Sequence, residues 1–172
     1  MALMSIDNLR TNLSNPQRDY LWEFLCANPV ANGSPETLLL RCQSTSIPGR
    51  SLGEILINFK QSAGYKLPGK IQYDHTIDTV FVEGEDHAIF DIIYNWKQSI
   101  INDKTNIGSG DSSIKTDIYL NLLTTAGDIA MRIRLAGCYP QAMPAQPLSY
   151  DSEAIVKYTV TWSYDWWEKV SS

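Results

Sequence analysis

Apolar and polar positions alternate with a period of two along most of the chain, which predicts strands. Tyr20, Trp22, Phe24 and Cys26 alternate with Leu21, Glu23 and Leu25 until Asn28-Pro29 ends the run. Leu38, Leu40 and Cys42 repeat the pattern over Thr37 to Gln43, and Gly33-Ser34-Pro35 supplies a turn, so these two runs are expected to form a hairpin. Gly53 to Phe59 places Ile55, Ile57 and Phe59 on one side. Ser46 to Ser51, around Pro48-Gly49, and Ala63 to Gly69, around Leu67-Pro68-Gly69, are predicted loops, and a strand is expected over Thr76 to Val82.

The period then changes. Ile89, Ile92, Ile93, Trp96 and Ile100 fall at helical spacing, which predicts one amphipathic helix over 84–102 with Glu85 and Asp86 in its first turn. A polar segment, 104–113, containing Gly108-Ser109-Gly110, is expected to be a flexible loop. Strand alternation returns at Ile114 to Leu122. A tight turn at Thr124-Thr125-Ala126-Gly127 leads into Ile129, Met131, Ile133 and Leu135, with Arg132 and Arg134 on the other face. The longest run sets Val156, Tyr158, Val160, Trp162, Tyr164 and Trp166 on one side, against Lys157, Thr159, Thr161, Ser163 and Asp165.

About seven strands and one helix without a βαβ rhythm predict a mainly β (α+β) fold, an antiparallel barrel or sandwich with the helix packed on it. With 172 residues, the chain is expected to form a single domain, residues 1–17 being a polar N-terminal segment.

Composition narrows the function classes. Hydrophobic residues at 44% and charged residues at 19% are globular values, and no apolar run approaches the roughly 18 residues of a membrane span. Met1 to Arg10 lacks a basic region followed by an apolar core, so a soluble protein made in a cytoplasm is expected. A net charge of −5 without dense Lys and Arg argues against a tight nucleic-acid binder, yet is compatible with a protein that lets DNA pass.

Catalytic chemistry has little to work with. His75 and His87 are the only histidines, and His87 beside Asp86 and Asp91 is read as a polar helix start, not an acid–base pair. Nucleotide-binding, hydrolase and metalloprotease motifs are absent from the sequence. No cofactor is expected. Cys26, Cys42 and Cys138 lack metal-site spacing and are read as buried reduced thiols, with Cys138, beside Gly137, the one most expected at the surface and able to cross-link neighbours. Trp162, Trp166 and Trp167, with Tyr158 and Tyr164, suggest either a stacking platform, as in a carbohydrate-binding β-sandwich, or a core row. Their strict alternation favours the core, and adjacent Trp166 and Trp167 must point oppositely.

The order of several short motifs resembles the tail tube proteins of T4-like contractile phages, whose fold is shared with other phage tail tubes and the type VI secretion tube protein. The likeness runs from Arg18 to Glu168. It comprises Arg18-Asp19-Tyr20-Leu21-Trp22, then Cys42 to Pro48, then the helix end Tyr94-Asn95-Trp96-Lys97-Gln98-Ser99-Ile100. The corner Gly137-Cys138-Tyr139-Pro140, the turn Tyr150-Asp151-Ser152 and the ending Asp165-Trp166-Trp167-Glu168 complete it.

The resemblance implies a non-enzymatic structural subunit of a virion tail, assembled in the host bacterial cytoplasm. Hexameric rings of this chain stack into a hollow conduit for genome ejection. The implied partners are the chain itself, the tail sheath, the tape-measure protein, the baseplate and genomic DNA passing without specific binding. A tube initiator or terminator of the same fold is the alternative. The Pro, Gly and isolated apolar residues of Ile47, Pro48, Gly49 and Arg50, and of Gly64, Leu67 and Pro68, are expected to form ring-contact loops.

Overall fold

A computed structural model describes residues 6–13, 15–27, 35–58, 64–108, 112–151 and 153–170. Among them are α1 (Ile6–Asn12), β1 (Trp22–Cys26), α2 (Pro35–Arg41), β2 (Cys42–Thr45), β3 (Arg50–Ile57), β4 (Tyr65–Tyr73) and β5 (Thr76–Val82). They are followed by α3 (Ala88–Ile100), β6 (Thr116–Leu123), β7 (Ile129–Ala142), β8 (Lys157–Ser163) and β9 (Trp166–Val170). All pairings are antiparallel. The mainly β architecture expected from the alternation is present, with more elements than the pattern alone resolves.

The strands run in the order β1-β6-β7-β8-β5-β2, and β9 adds to β7. The long β7 serves two sheets. Its first part pairs with β6 and β9, and its last residues pair with β8. Gly137, at φ 66, lies at the bend between these parts, a left-handed conformation that costs other residues but not glycine. The chain makes the same transfer a second time. β8 ends at Ser163, Tyr164 N–H donates to the His75 carbonyl, and Asp165 N–H donates to the Ala136 carbonyl before β9 begins. The single strand expected over Val156 to Trp166 is therefore two.

Between the sheets Phe24, Phe81, Ile118, Ile133, Leu135, Val160 and Trp162 are buried, and α3 closes the core with Ile89, Ile92, Ile93 and Trp96. Trp96 meets Trp162 edge-on at 5.5 Å between ring centroids, and Phe24 meets Phe81 at 5.8 Å. Each buried indole keeps a partner: Trp162 Nε1 donates to Thr79 Oγ1 at 2.8 Å and Trp96 Nε1 to the Ile114 carbonyl at 2.8 Å. The core reading of the aromatic row holds for Trp162 and Tyr164, both buried, and Tyr158 packs against the core half-buried. Trp166 departs from it. The break at Asp165 resets the alternation, so Trp166 is 40% exposed and Trp167 packs against the core.

Four further expectations are corrected. Thr37 to Gln43 is mostly helix α2, because Pro35 sits at the first helical position and Glu36, three leucines and Arg41 are strong helix formers. Leu38 is buried while Leu40 is 80% exposed. The expected hairpin is consequently absent: β1 pairs with β6 and β2 with β5, while Gly33 and Ser34 lie outside the described residues. Leu67-Pro68-Gly69 lies inside β4, where a two-stranded hairpin leaves one edge of each strand unpaired and so tolerates a proline. Cys138 is fully buried, since the bend at Gly137 turns it into the core.

Smaller differences concern boundaries. The polar segment 1–17 contains α1, and the segment 104–113 includes Gly108, bridged to Ile101. Gly110, like Phe59 and Ala63, lies outside the described residues. Helix α3 starts at Ala88, so Glu85 and Asp86 form a turn ahead of it and Asp91 is the acid in its first turn.

Candidate assembly surface

The hairpin of β3 and β4 pairs with no other strand among the described residues. Its register sets Ile55 opposite Leu67 and Ile57 opposite Tyr65, and directly opposed residues share a face. Ile55, Ile57 and Tyr65 are exposed, as are Leu52, Leu56 and Ile71. Six large apolar side chains are thus exposed on one hairpin, and apolar surface gathered in this way is, in general, a mark of interaction sites. Glu54 and Lys66 form an ion pair across it at 2.6 Å, and both side chains are mostly exposed. At the bulge between Leu52 and Glu54, a Cβ on Gly69 would lie 2.9 Å from the Gly53 carbonyl, so the two backbones touch directly.

The hairpin root is tied to β9. Trp167 Nε1 donates to the Gly49 carbonyl at 3.1 Å, and the Arg50 guanidinium lies 5.1 Å above the Trp167 ring. Two of the expected contact residues, Gly49 and Arg50, are thus engaged within the subunit. Pro48 is buried, whereas Ile47 is 57% exposed. Gly64 and Pro68 are exposed on the hairpin and Leu67 is half-buried. The two groups thus lie at the root and along the strands of one projecting element, and they are not two separate loops.

A second feature was not read from the sequence. The sheet β1-β6-β7-β9 has end strands that each pair on one side only among the described residues: β1 with β6, and β9 with β7. Its inner face is core. Its outer face carries Glu23, Asp117, Asn121, Arg132, Arg134 and Glu168, joined across strands. Arg134 Nε donates to Asp117 at 2.8 Å and its terminal nitrogen to Glu168 at 3.2 Å. Arg132 Nε donates to Asn121 Oδ1 at 2.8 Å, and Asn121 Nδ2 donates to Glu23 at 3.2 Å. The hydrogen bond to Asp117 holds the Arg134 proton above its ordinary range. The polar half of each strand's alternation was the available signal; which polar residues meet across strands depends on register.

A third cluster fixes α3. The side chain of Glu83 is 2% exposed and accepts from the Ile89 and Phe90 amides at 3.3 and 2.8 Å. Arg41 of α2 reaches Asp86 at 2.6 Å and Glu83 at 3.4 Å, and the Arg41 bond pushes the Asp86 carboxyl down to about 2. His87, in the left-handed region at φ 51, is the N-cap residue of α3. Burial pushes the Cys42 and Cys138 thiols up to about 12 and Cys26 well above its usual range. Among the described residues no three His, Cys, Asp or Glu side chains are grouped to hold a metal ion, and no helix is long and apolar enough to cross a membrane.

The described residues thus present an exposed apolar hairpin and a sheet whose two end strands each pair on one side only. A family model described as phage tail tube protein matches residues 24–170. The chain belongs to the phage tail tube protein family. Solved structures agree in fold. A chain of the sheath–tube complex of an extracellular contractile injection system, PVC, in its extended state superposes with a TM-score of 0.67 at 17% identity, covering 99% of this chain and 100% of that one. The sheath/tube terminator of the same system gives 0.67 at 18% identity, covering 91% and 97%. The tube-terminating cap of the anti-feeding prophage gives 0.67 at 16%, covering 100% and 95%. No curated protein matches the sequence. This tail tube protein is thus a structural component by family, and at these identities the solved structures establish its fold.

Proposed function

We propose that this protein is the repeating subunit of a contractile tail tube, forming hexameric rings that stack into a hollow conduit through which the genome leaves the virion. The sheet β1-β6-β7-β9, with an edge at each end that is unpaired among the described residues, carries the reading. Pairing β1 of one subunit with β9 of the next uses a different edge on each side, so the contact closes by rotation into a ring and removes both free edges. The apolar β3–β4 hairpin, with Ile47, Gly64, Leu67 and Pro68, then makes the contacts between neighbours, while Pro48, Gly49 and Arg50 hold its root.

The sheath, the baseplate and a tape-measure protein are the partners this role requires, with assembly in the host bacterial cytoplasm. Solved structures of similar fold come from a sheath–tube complex and from a baseplate, which supports the sheath and the baseplate as partners. Residues 1–172 act as one domain in this reading.

Ile57→Asp and Leu67→Asp test it by sedimentation. Wild-type protein is expected as large particles, and both variants as monomers with an unchanged unfolding midpoint. Normal particles from both variants would remove the hairpin from the contact. A terminator is the second reading, favoured by the equal TM-score of 0.67 to terminator and cap chains. A terminator gives discrete rings, whereas a body subunit gives rods of unlimited length.

A further inference from the structure

On the outer face of β1-β6-β7-β9 the two arginines are engaged by side chains of their own sheet. Arg134 is held from two sides, by Asp117 on β6 and Glu168 on β9, with the Trp166 ring 5.7 Å from its guanidinium carbon. Arg132 is bonded to Asn121, which is bonded in turn to Glu23, and it lies 5.9 Å from the Tyr119 ring. Asp117 is itself oriented: its second oxygen accepts from the Gly137 amide at 3.1 Å, at the left-handed bend of β7. Glu23, Asp117 and Glu168 outnumber Arg132 and Arg134 by one charge on this face.

A guanidinium grips phosphate through paired N–H donors, and a carboxylate occupies the same donors. We infer that this face is the surface past which polyanionic cargo moves, and that Asp117 and Glu168 act as a clamp that keeps Arg134 off its phosphates. The inference rests on the tube reading, because edge pairing of β1 with β9 curls this sheet into the ring wall. The core face of the sheet is sealed by Phe24, Ile118, Leu120, Ile133 and Leu135, which leaves the polar face for the bore. The clamp lets arginines knit four strands together without making the wall adhesive, a result that neutral side chains would reach with weaker cross-strand bonds.

The test uses free subunits, separated from any assembled particles, and a short DNA duplex as the probe, read by fluorescence anisotropy at several salt concentrations. Wild-type protein is expected to show no saturable binding. Asp117→Asn with Glu168→Gln keeps an acceptor for the Gly137 amide and releases Arg134. That variant is expected to bind, with a log–log salt slope steeper by about one for the freed guanidinium. Adding Arg134→Gln is expected to abolish the gain. No gain in the double variant overturns the inference, as does a gain that survives Arg134→Gln. Glu168→Gln alone, expected to give a smaller gain, repeats the test if the double variant does not fold. Failure of the tube reading shows separately, as the absence of rods under the microscope with the binding gain intact.

Discussion

The Glu83 carboxylate accepts a hydrogen bond from the Phe90 backbone amide at 2.8 Å, so an acid at the end of β5 caps a helix it does not belong to. It accepts from the Ile89 amide as well, in place of the capping hydroxyl or carboxylate usually found at the residue before the helix. Glu83→Ala leaves two first-turn donors without their buried acceptor and is expected to cost about 2 kcal/mol. Denaturant unfolding checks this, and a loss below about 0.5 kcal/mol contradicts the role.

The neighbouring pair gives a pH prediction. Arg41 holds the Asp86 carboxyl down at about 2 against an ordinary 3.8. The stabilisation is therefore complete above the unfolded value and is lost as the pH falls through the folded one. Asp86 is largely exposed, so the effect is modest. The unfolding midpoints of wild type and Asp86→Asn are expected to differ at neutral pH, converge below about pH 4 and coincide below about pH 2. A gap that persists unchanged into strong acid contradicts the pairing.

Two glycines separate strain from crowding. Gly127 sits at φ 91 with nothing within 4 Å of an added Cβ, while Gly137 sits at φ 66 with the Asp165 carboxylate in the way. Gly127→Ala is expected to cost about 1 kcal/mol from the backbone alone. Gly137→Ala is expected to cost clearly more, because it also displaces the Lys115–Asp165 pair, bonded at 3.0 Å. Equal losses in thermal unfolding would show that the side-chain contact is irrelevant.

Thiol chemistry follows from burial. Cys26 and Cys138 are buried, and desolvation keeps all three thiols protonated near neutrality. Native protein is expected to react slowly with a thiol reagent and to run as a monomer on a non-reducing gel, with three thiols titrating after denaturation. Rapid native labelling of Cys138 contradicts its place in the core.

Much of the fold was legible in the chain because strand alternation is a local signal. Thr76 to Val82 matches β5, and Ile89, Ile92, Ile93 and Trp96 all lie buried on α3. The misreadings occur where tertiary context outweighs period. Leu38 and Leu40 suit a strand by spacing, yet the residues around them prefer a helix. Pro68 and Gly69 suit a loop by composition, yet only pairing with β3 decides that they extend. Cys138 and Trp166 were misplaced by two bends, at Gly137 and Asp165, each set by hydrogen bonds to distant chain segments. The candidate surface was half legible. Pro-Gly segments singled out Ile47, which is exposed, and Leu67, which lies on β4, but the bonds around Arg134 join three strands whose register no single segment contains.

Negative-stain microscopy of the purified protein tests the central claim most directly. Hollow rods of uniform width, with six-fold symmetry in end-on views, are predicted. Dispersed monomers at all concentrations would contradict it.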